Sequence, residues 1–311
     1  MEEVLRVLPE GVRHIINRYT PSERETIEEI RMRINRPLEV MLNGKPHFPL
    51  FEGMDYFISK DDAAQMINKL SQYSLYALEE ELKKGFVTIQ GGHRVGLAGK
   101  VITSNGHVKA IRDIASFNVR IAKQKLGIAT PLVSYLYAGG WMNTIILGPP
   151  QSGKTTMLRD LTRIMAEGNE VRRIPSAKVG IVDERSEIAG CVQGIPQHRL
   201  GNRVDVLDAC PKAEGMMMMI RSMSPDIIVV DEIGRREDSE AIIEAVNAGI
   251  QLVVTIHGHT MDDLYRRPSI QELIKSGIFN RVVELSRTDG PGTIRAIKDK
   301  TGKEIRRKKV M

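Results

Sequence analysis

One octapeptide constrains this chain of 311 residues more than any other feature: residues 148–155 read GPPQSGKT. They fit the pattern G-x-x-x-x-G-K-[ST] at every fixed position, between an apolar run and an amphipathic stretch. A loop of this kind between a strand and a helix points successive backbone N–H groups at phosphate oxygens, and the helix N-terminus adds partial positive charge. The pattern therefore predicts a phosphate-binding loop in an α/β domain.

This loop also predicts its ligands, which we expect to be ATP and Mg²⁺. Lys154 would reach the β- and γ-phosphates, and the hydroxyl of Thr155 would ligate the metal. The residues expected to contact the nucleotide are Gly148, Pro149, Pro150, Gln151, Ser152, Gly153, Lys154, Thr155 and Thr156.

A second apolar run, Ile227–Val230, ends in two carboxylates, Asp231 and Glu232. In P-loop enzymes an acid at such a strand end completes the Mg²⁺ shell, and a neighbouring glutamate orients or deprotonates the attacking water. We predict that Asp231 is a metal ligand and that Glu232 acts on water.

A third run, residues 179–182, leads into Asp183 and Glu184. Acids at the ends of neighbouring parallel strands share one edge of the sheet, where ligands bind in open α/β folds. Either acid is therefore an alternative to Glu232 for activating water, and an ion pair with Arg185 is the other interpretation.

The run Leu252–Ile256 ends in His257, and His259 follows two residues later. We expect His257 to sense the γ-phosphate, with a buried, hydrogen-bonded histidine as the alternative. A metal pair formed by the two histidines lacks a third ligand in the sequence.

From residue 126 to 297, short apolar runs alternate with helical stretches, which favours a mostly parallel sheet with helices on both faces. Four consecutive methionines, residues 216–219, are predicted as adaptable core. Strands are predicted at 144–147, 179–183, 227–231 and 252–256, and helices at 154–167, 212–223 and 237–248.

Residues 1–125 follow a different pattern, which predicts a separate, smaller α+β domain. Helical spacing extends over 4–18, with an interruption near Pro9, and over 61–84. Short strands are predicted near 29–34, 37–42, 86–89, 94–102 and 115–121.

The formal net charge of +6 is concentrated at one end of the chain, since residues 295–311 contain eight basic and two acidic side chains. We predict a basic C-terminal tail over residues 298–311, which suits an anionic membrane surface or an acidic partner. A solvated chain end is the alternative. Nucleic acid is the weaker expectation, because aromatic residues make up only 5% of the chain and offer few stacking platforms.

The two cysteines, Cys191 and Cys210, form no Cys-x-x-Cys pair, which favours a reducing cytoplasm over a disulfide framework or a zinc site. The acidic start lacks the basic region of a signal peptide, and no run approaches the roughly 20 apolar residues of a membrane span. We expect a cytoplasmic protein that associates peripherally with the inner face of a membrane.

Residues 143–264 resemble the type II and type IV secretion ATPases. The resemblance is carried by the loop at 148–155, an acidic box at 183–187, the stretch 219–232 and a histidine box at 255–259. It implies a RecA-like P-loop NTPase domain, ATP hydrolysis and a hexameric ring. It also implies an arginine from the N-terminal domain that acts on the nucleotide, which by family position is Arg120, ahead of Arg94 and Arg112.

The chain departs from that family at both acidic positions. Asp231-Glu232 stands where the secretion enzymes usually have Gly-Glu, and Asp183-Glu184 stands where they have Glu-Asp. The identity of the catalytic base therefore stays open between Glu232 and the Asp183-Glu184 pair.

A further resemblance, to the stage III sporulation AA family, extends over nearly the whole chain through residues 29–39, 91–96, 148–155, 182–187 and 224–234. It implies an ATPase in the mother cell of an endospore-forming bacterium that drives or gates the channel complex to the forespore. Membrane-embedded channel proteins would be its partners. The alternatives are a nucleotide-dependent adaptor and a nucleic-acid-stimulated ATPase.

Overall fold

The computed structural model describes residues 1–71, 85–104 and 106–307. Within these ranges the chain forms two compact units, Met1–Lys123 and the residues from Gln124 onward. Each unit has its own hydrophobic core, as expected for separately packed domains. In the described parts of both units, no helix has the length and apolar composition needed to cross a membrane.

The described helices of the N-terminal unit follow local signals in the sequence. Pro9 separates the first two helices because proline has no N–H to donate to the preceding turn, which confirms the predicted break. The helix predicted over 61–84 is present up to Ser71, and its remainder lies outside the described residues. The helices are α1 (Glu2–Val7), α2 (Glu10–Asn17), α3 (Pro21–Thr26) and α4 (Lys60–Ser71).

An antiparallel sheet completes the N-terminal unit, which confirms the expected α+β arrangement. Its strands are β1 (Ile27–Arg33), β2 (Glu39–Leu42), β3 (Lys45–His47), β6 (Phe86–Ile89), β7 (His93–Ser104) and β8 (His107–Arg120), and β4 (Leu50–Phe51) pairs separately with β5 (Met54–Asp55). The order across the sheet is β3-β2-β1-β8-β7-β6. Strand alternation buries Ile30 and Val119 in the core that also contains Leu5 of α1 and Ile16 of α2.

The C-terminal unit alternates strands and helices as the sequence predicts. Its helices are α5 (Val133–Leu136), α6 (Lys154–Glu167), α7 (Lys212–Ser222), α8 (Arg236–Asn247), α9 (Met261–Tyr265) and α10 (Pro268–Lys275). Its strands are β9 (Thr144–Gly148), β10 (Val179–Asp183), β11 (Val204–Asp208), β12 (Ile227–Val230), β13 (Gln251–His257), β14 (Arg281–Ser286), β15 (Thr293–Asp299) and β16 (Glu304–Arg307).

These strands form one sheet in the order β11-β10-β12-β13-β9-β14-β15-β16, in which β9 to β14 pair in parallel and the last two pairings are antiparallel. Both faces are covered, because Ile145 and Ile146 of β9 pack into different cores on opposite sides of the sheet. Of the four methionines predicted as core, Met216 and Met219 are buried in one of these cores, whereas Met217 is partly buried and Met218 is exposed. The mostly parallel α/β sheet is therefore confirmed.

The predicted basic tail over 298–311 differs from the structure, which continues the sheet through β15 and β16 to Arg307. Lys298 belongs to a strand and forms an ion pair with the buried Glu284 of β14 at 3.1 Å. The many charged residues of this segment hid its strands in the sequence, because β15 buries only Ala296 and Ile297 in the core.

Glu284 joins these strands to the rest of the unit, because its carboxylate is 1% exposed and accepts from three donors. They are the Met261 N–H at 2.8 Å, Arg295 at 2.6 Å and Lys298 at 3.1 Å. Burial alone would raise the pKa of Glu284, but these donors hold it below its ordinary value.

We expect Glu284→Ala to lower the free energy of unfolding by about 3 kcal/mol, because it leaves the Met261 N–H and two cations without their partner. Urea unfolding followed by circular dichroism measures the loss. Glu240→Ala is the matched control, since Glu240 pairs with Arg236 on an exposed helix face and its loss should change stability by less than about 0.5 kcal/mol. Equal effects of the two substitutions would contradict the role given to Glu284.

Candidate nucleotide site

The predicted phosphate-binding loop lies where β9 ends at Gly148 and α6 begins at Lys154. Gly153 has a φ of 86° and Gln151 a φ of 59°, both in the left-handed region, so the loop turns sharply between strand and helix. A Cβ on Gly148 would lie 2.3 Å from Oγ of Ser152, and this close approach requires glycine. Thr156 is half-buried in the first turn of α6.

Two polar groups in the loop fit an anionic ligand. The Lys154 ammonium donates to the carbonyl oxygens of Gly148 and Pro149, both at 3.0 Å, although phosphate would be a stronger, charged partner. Burial lowers the pKa of Lys154, although the negative charges of Asp231 and Glu232 act in the opposite direction. The buried Ser152 hydroxyl has no hydrogen-bond partner among the residues that the structure describes.

The end of β12 meets the loop through Asp231. The Thr155 hydroxyl donates to Oδ2 of Asp231 at 2.7 Å, and the Thr255 hydroxyl of β13 donates to Oδ1. Burial raises the pKa of Asp231, and the two hydroxyls offset part of this effect because they stabilise the charged form. The structure therefore brings together the two residues predicted to bind Mg²⁺, and their oxygens are of the type that this ion prefers.

Glu232 follows directly, with a φ of 56°. Its N–H donates to Oγ1 of Thr255 at 2.7 Å, and its carboxylate accepts from Arg185 at 2.5 Å. The side chains of Glu232 and Arg185 are 40% and 61% exposed. The sequence raised an ion pair for Arg185 with the acids beside it, whereas the structure pairs it with Glu232.

Asp183 has partners that fit a structural role better than the predicted activation of water. Its carboxylate is 1% exposed and accepts the N–H groups of Glu187, Ile188 and Ala189 at 2.8, 2.9 and 2.8 Å. Burial raises the pKa of Asp183 to about 6, although these N–H groups act in the opposite direction. Both oxygens are thus occupied in closing the loop that follows β10.

The same loop is held from the other side by Arg159 of α6, which the sequence did not single out. Its guanidinium donates to the carbonyl oxygens of Ile188 at 2.8 Å and Glu187 at 2.6 Å. Glu187 lies near enough to Asp231 for its charge to raise the pKa of that residue. Glu184, the other candidate base, forms an ion pair with Lys212, whose side chain is only 11% exposed.

His257 lies at the end of β13, in register with Gly148. Burial lowers its pKa, and the nearby charges of Lys154 and Arg267 act in the same direction. The backbone N–H of His259 donates to Asp263 of α9 instead. Over residues 1–71, 85–104 and 106–307, no group of three His, Cys, Asp or Glu side chains is arranged to hold a metal ion.

Sequence reasoning missed a contact between the loop after β14 and the phosphate-binding loop. The N–H of Gly292 donates to the carbonyl oxygen of Ser152 at 2.8 Å, and a Cβ on Gly153 would lie 2.9 Å from the Gly292 nitrogen. The strands β14 and β15 therefore support the site, although nothing in the Gly-rich sequence at 290–292 indicated its position.

Arg120, predicted to act on the nucleotide, is the last residue of β8 in the N-terminal unit. Its side chain is 62% exposed and lies 3.5 Å from the carboxylate of Glu29. Arg94 stacks over Phe86, with its guanidinium carbon 4.5 Å from the ring centre, and Arg112 is exposed on the β7–β8 hairpin.

Similar structures define the class of fold. The chain matches the Legionella pneumophila ATPase DotB with a TM-score of 0.56 at 15% identity, over 88% of this chain and 77% of that one. It matches the pilus retraction motor PilT, solved with bound ADP, with a TM-score of 0.57 at 17% identity, over 84% and 75% of the two chains. The C-terminal unit is a RecA-like P-loop domain, preceded by a smaller α+β unit.

The chain belongs to the sporulation stage III protein AA family, whose model matches residues 1–305. A relative from Bacillus subtilis (strain 168), stage III sporulation protein AA, is 55% identical over 307 residues, which are 99% of this chain and 98% of the relative. The family and fold inferred from the residues are therefore confirmed.

The raised pKa of Asp183 predicts a change of stability with pH. Between pH 3.8 and about 6 the folded protein binds more protons at Asp183 than the unfolded chain does, so this group destabilises the fold as pH rises. From about pH 5 to about pH 7.5 we expect the unfolding free energy of the wild type to fall by about 1 kcal/mol relative to Asp183→Asn.

Urea unfolding of both proteins at the two pH values measures this difference. Other titrating groups, such as His93, whose pKa burial lowers to about 4, are common to both proteins and cancel. The burial of the Asp183 carboxylate would be contradicted if the difference in unfolding free energy were the same at both pH values. It would also be contradicted if the wild type gained stability relative to Asp183→Asn at the higher pH.

Proposed function

We propose that this chain is a Mg²⁺-dependent ATPase, a secretion-ATPase-like motor that powers or gates the mother cell–forespore channel complex during endospore formation. The observation that carries the proposal is the bond from the Thr155 hydroxyl to Asp231 at 2.7 Å. It joins the P-loop to the strand-end acid, as a shared metal site requires. Membership of the sporulation family supports the cellular setting.

The residues of the loop would bind the triphosphate. The N-terminus of α6 offers N–H groups and partial positive charge, and Lys154 can exchange its two carbonyl partners for phosphate oxygens. Thr155 and Asp231 would hold Mg²⁺, which neutralises charge on the phosphate oxygens when it is bound.

We propose Glu232 as the residue that orients and deprotonates the attacking water. The carboxylate of Glu232 pairs with the largely exposed Arg185, and exposed ion pairs contribute little stability, so Glu232 can release this arginine at small cost. Asp183 and Glu184 are the less favoured alternatives, because three backbone N–H groups and Lys212 occupy them.

His257 and Arg120 complete the proposed site. His257 ends its strand beside Gly148 and would contact the γ-phosphate as a neutral imidazole. Arg120 would stabilise the transferring phosphoryl group of a neighbouring subunit, as arginine fingers do. This arrangement requires a ring of subunits, for which we propose a hexamer.

The proposed partners are membrane-embedded channel proteins, with peripheral attachment to the membrane from the cytoplasmic, mother-cell side. The basic end of the chain would contact an anionic membrane surface. The residues proposed for this contact are 300–311 rather than 298–311, because Lys298 pairs with Glu284. Lys300 and Lys303 are exposed. Nucleic acid remains the less favoured partner.

We expect Lys154→Ala to reduce ATP hydrolysis by the purified protein by at least about 100-fold, because it removes the cation that stabilises the β- and γ-phosphate charge. Phosphate release measures the rate. Lys178→Ala is the control, since Lys178 is an exposed lysine of the same unit that bonds to Ser224. Retained turnover in Lys154→Ala would refute the assignment of the site.

Glu232→Gln should bind ATP but lose hydrolysis by about 100-fold or more, because an amide cannot accept the proton of the attacking water. Glu184→Gln should keep most of its activity. In an endospore-forming host that depends on this chain, Glu232→Gln should block sporulation if the protein is a motor. Normal sporulation with Glu232→Gln would favour the binding-only adaptor instead.

A further inference from the structure

The hydroxyl of Thr255 lies at the centre of the site and has no role in the function proposed above. Thr255 is the polar residue in the buried run Leu252–Ile256 of β13, and it is 0% exposed. A buried hydroxyl is costly unless it is hydrogen-bonded, so its partners indicate why a threonine stands in this run.

Thr255 bonds to both acids at the end of the neighbouring strand β12. Its hydroxyl donates to Oδ1 of Asp231 and accepts the N–H of Glu232 at 2.7 Å. The hydroxyl thus donates its proton to Asp231 and uses a lone pair to accept from the next residue, Glu232. Thr155 holds the other oxygen of Asp231, so the carboxylate cannot rotate without breaking a hydrogen bond.

The backbone of Thr255 acts on the same segment. Its carbonyl oxygen accepts the N–H of Ile233 at 3.0 Å. Glu232 is therefore held on both sides by Thr255, through its own N–H and through that of the next residue. This clamp stabilises the left-handed φ of 56° at Glu232, a conformation unfavourable for a residue with a Cβ.

The position of β13 connects the contacts of Thr255 with the phosphate-binding loop. This strand lies between β12, which ends in the acids, and β9, which ends in the phosphate-binding loop. Two residues after Thr255, His257 is in register with Gly148 of that loop. Thr255 thus fixes the acids relative to β13, which pairs with the strand that leads into the phosphate-binding loop.

We infer that Thr255 is a positioning residue for metal-dependent hydrolysis, whose hydroxyl sets the Asp231 carboxylate and directs Glu232 toward the nucleotide. The inference rests on the proposed function. It goes further because Thr255 would act through the two acids to which it bonds, and not as a ligand of the metal or the nucleotide.

The test compares Thr255→Val, which removes the hydroxyl at nearly constant shape, with Thr255→Ser, which keeps it. The measurements are the affinity for a fluorescent ATP analogue in Mg²⁺ and in EDTA, and kcat and KM for ATP. We expect Thr255→Val to lose about 10-fold or more of the affinity gained from Mg²⁺, while binding in EDTA stays unchanged, since groups that orient metal ligands have effects of this size. Its kcat should fall by about 10-fold or more with a smaller change in KM, and Thr255→Ser should stay close to wild type.

Two results would overturn the inference: wild-type Mg²⁺ dependence and turnover in Thr255→Val, or equal losses in the serine and valine variants. If circular dichroism shows that Thr255→Val does not fold, Thr255→Cys takes its place, because a thiol is only a weak donor, and the same outcomes decide.

A double-mutant cycle with Asp231→Asn separates positioning from general damage. If Thr255 acts through Asp231, Thr255→Val should have no further effect on Mg²⁺-dependent binding in the Asp231→Asn background. Fully additive losses would overturn the inference. A wild-type protein that gains no ATP affinity from Mg²⁺ would instead refute the proposed function before any variant is compared.

Discussion

The buried carboxylate of Asp231 connects the structural elements that form the candidate site of the C-terminal unit. Asp231 directly follows β12, and its carboxylate accepts one hydroxyl hydrogen bond from α6 and one from β13. These three elements meet because β12, β13 and β9 pair in parallel, which brings their carboxyl ends to one edge of the sheet. Burial of the Asp231 carboxylate disfavours its charged form, and a bound cation would stabilise that form.

The surroundings of this carboxylate are held by hydrogen bonds between neighbouring loops and helices. Asp183 and Arg159 hold the loop after β10 from opposite sides, and Gly292, in the loop between β14 and β15, supports the phosphate-binding loop. Under the proposed function, these contacts would hold the reacting groups in place before substrate binds, and such positioning is the main contribution of a protein to phosphoryl transfer. The strands near the chain end are therefore part of the domain, although their charge suggested a separate tail.

The parts of the fold that depend on local signals could be predicted from the sequence. The octapeptide at 148–155, the buried runs around β9, β10, β12 and β13, and the break at Pro9 each carry their own pattern. The roles of Asp183 and Glu184 could not be predicted, because they depend on loop conformation and on Lys212, which is distant in sequence. Thr255 did leave a signal, since a lone hydroxyl in an apolar strand requires a buried partner.

The central claim is that Asp231, Thr155 and the loop form one Mg²⁺-dependent ATP site. Isothermal titration of ATP into the purified full-length chain, in excess Mg²⁺ and in EDTA, tests it most directly. The account predicts one saturable site per chain with affinity at least about 10-fold higher in Mg²⁺, since charge-bearing oxygen ligands on both protein and phosphate require a cation between them. No binding, or equal affinity in the two conditions, would contradict it.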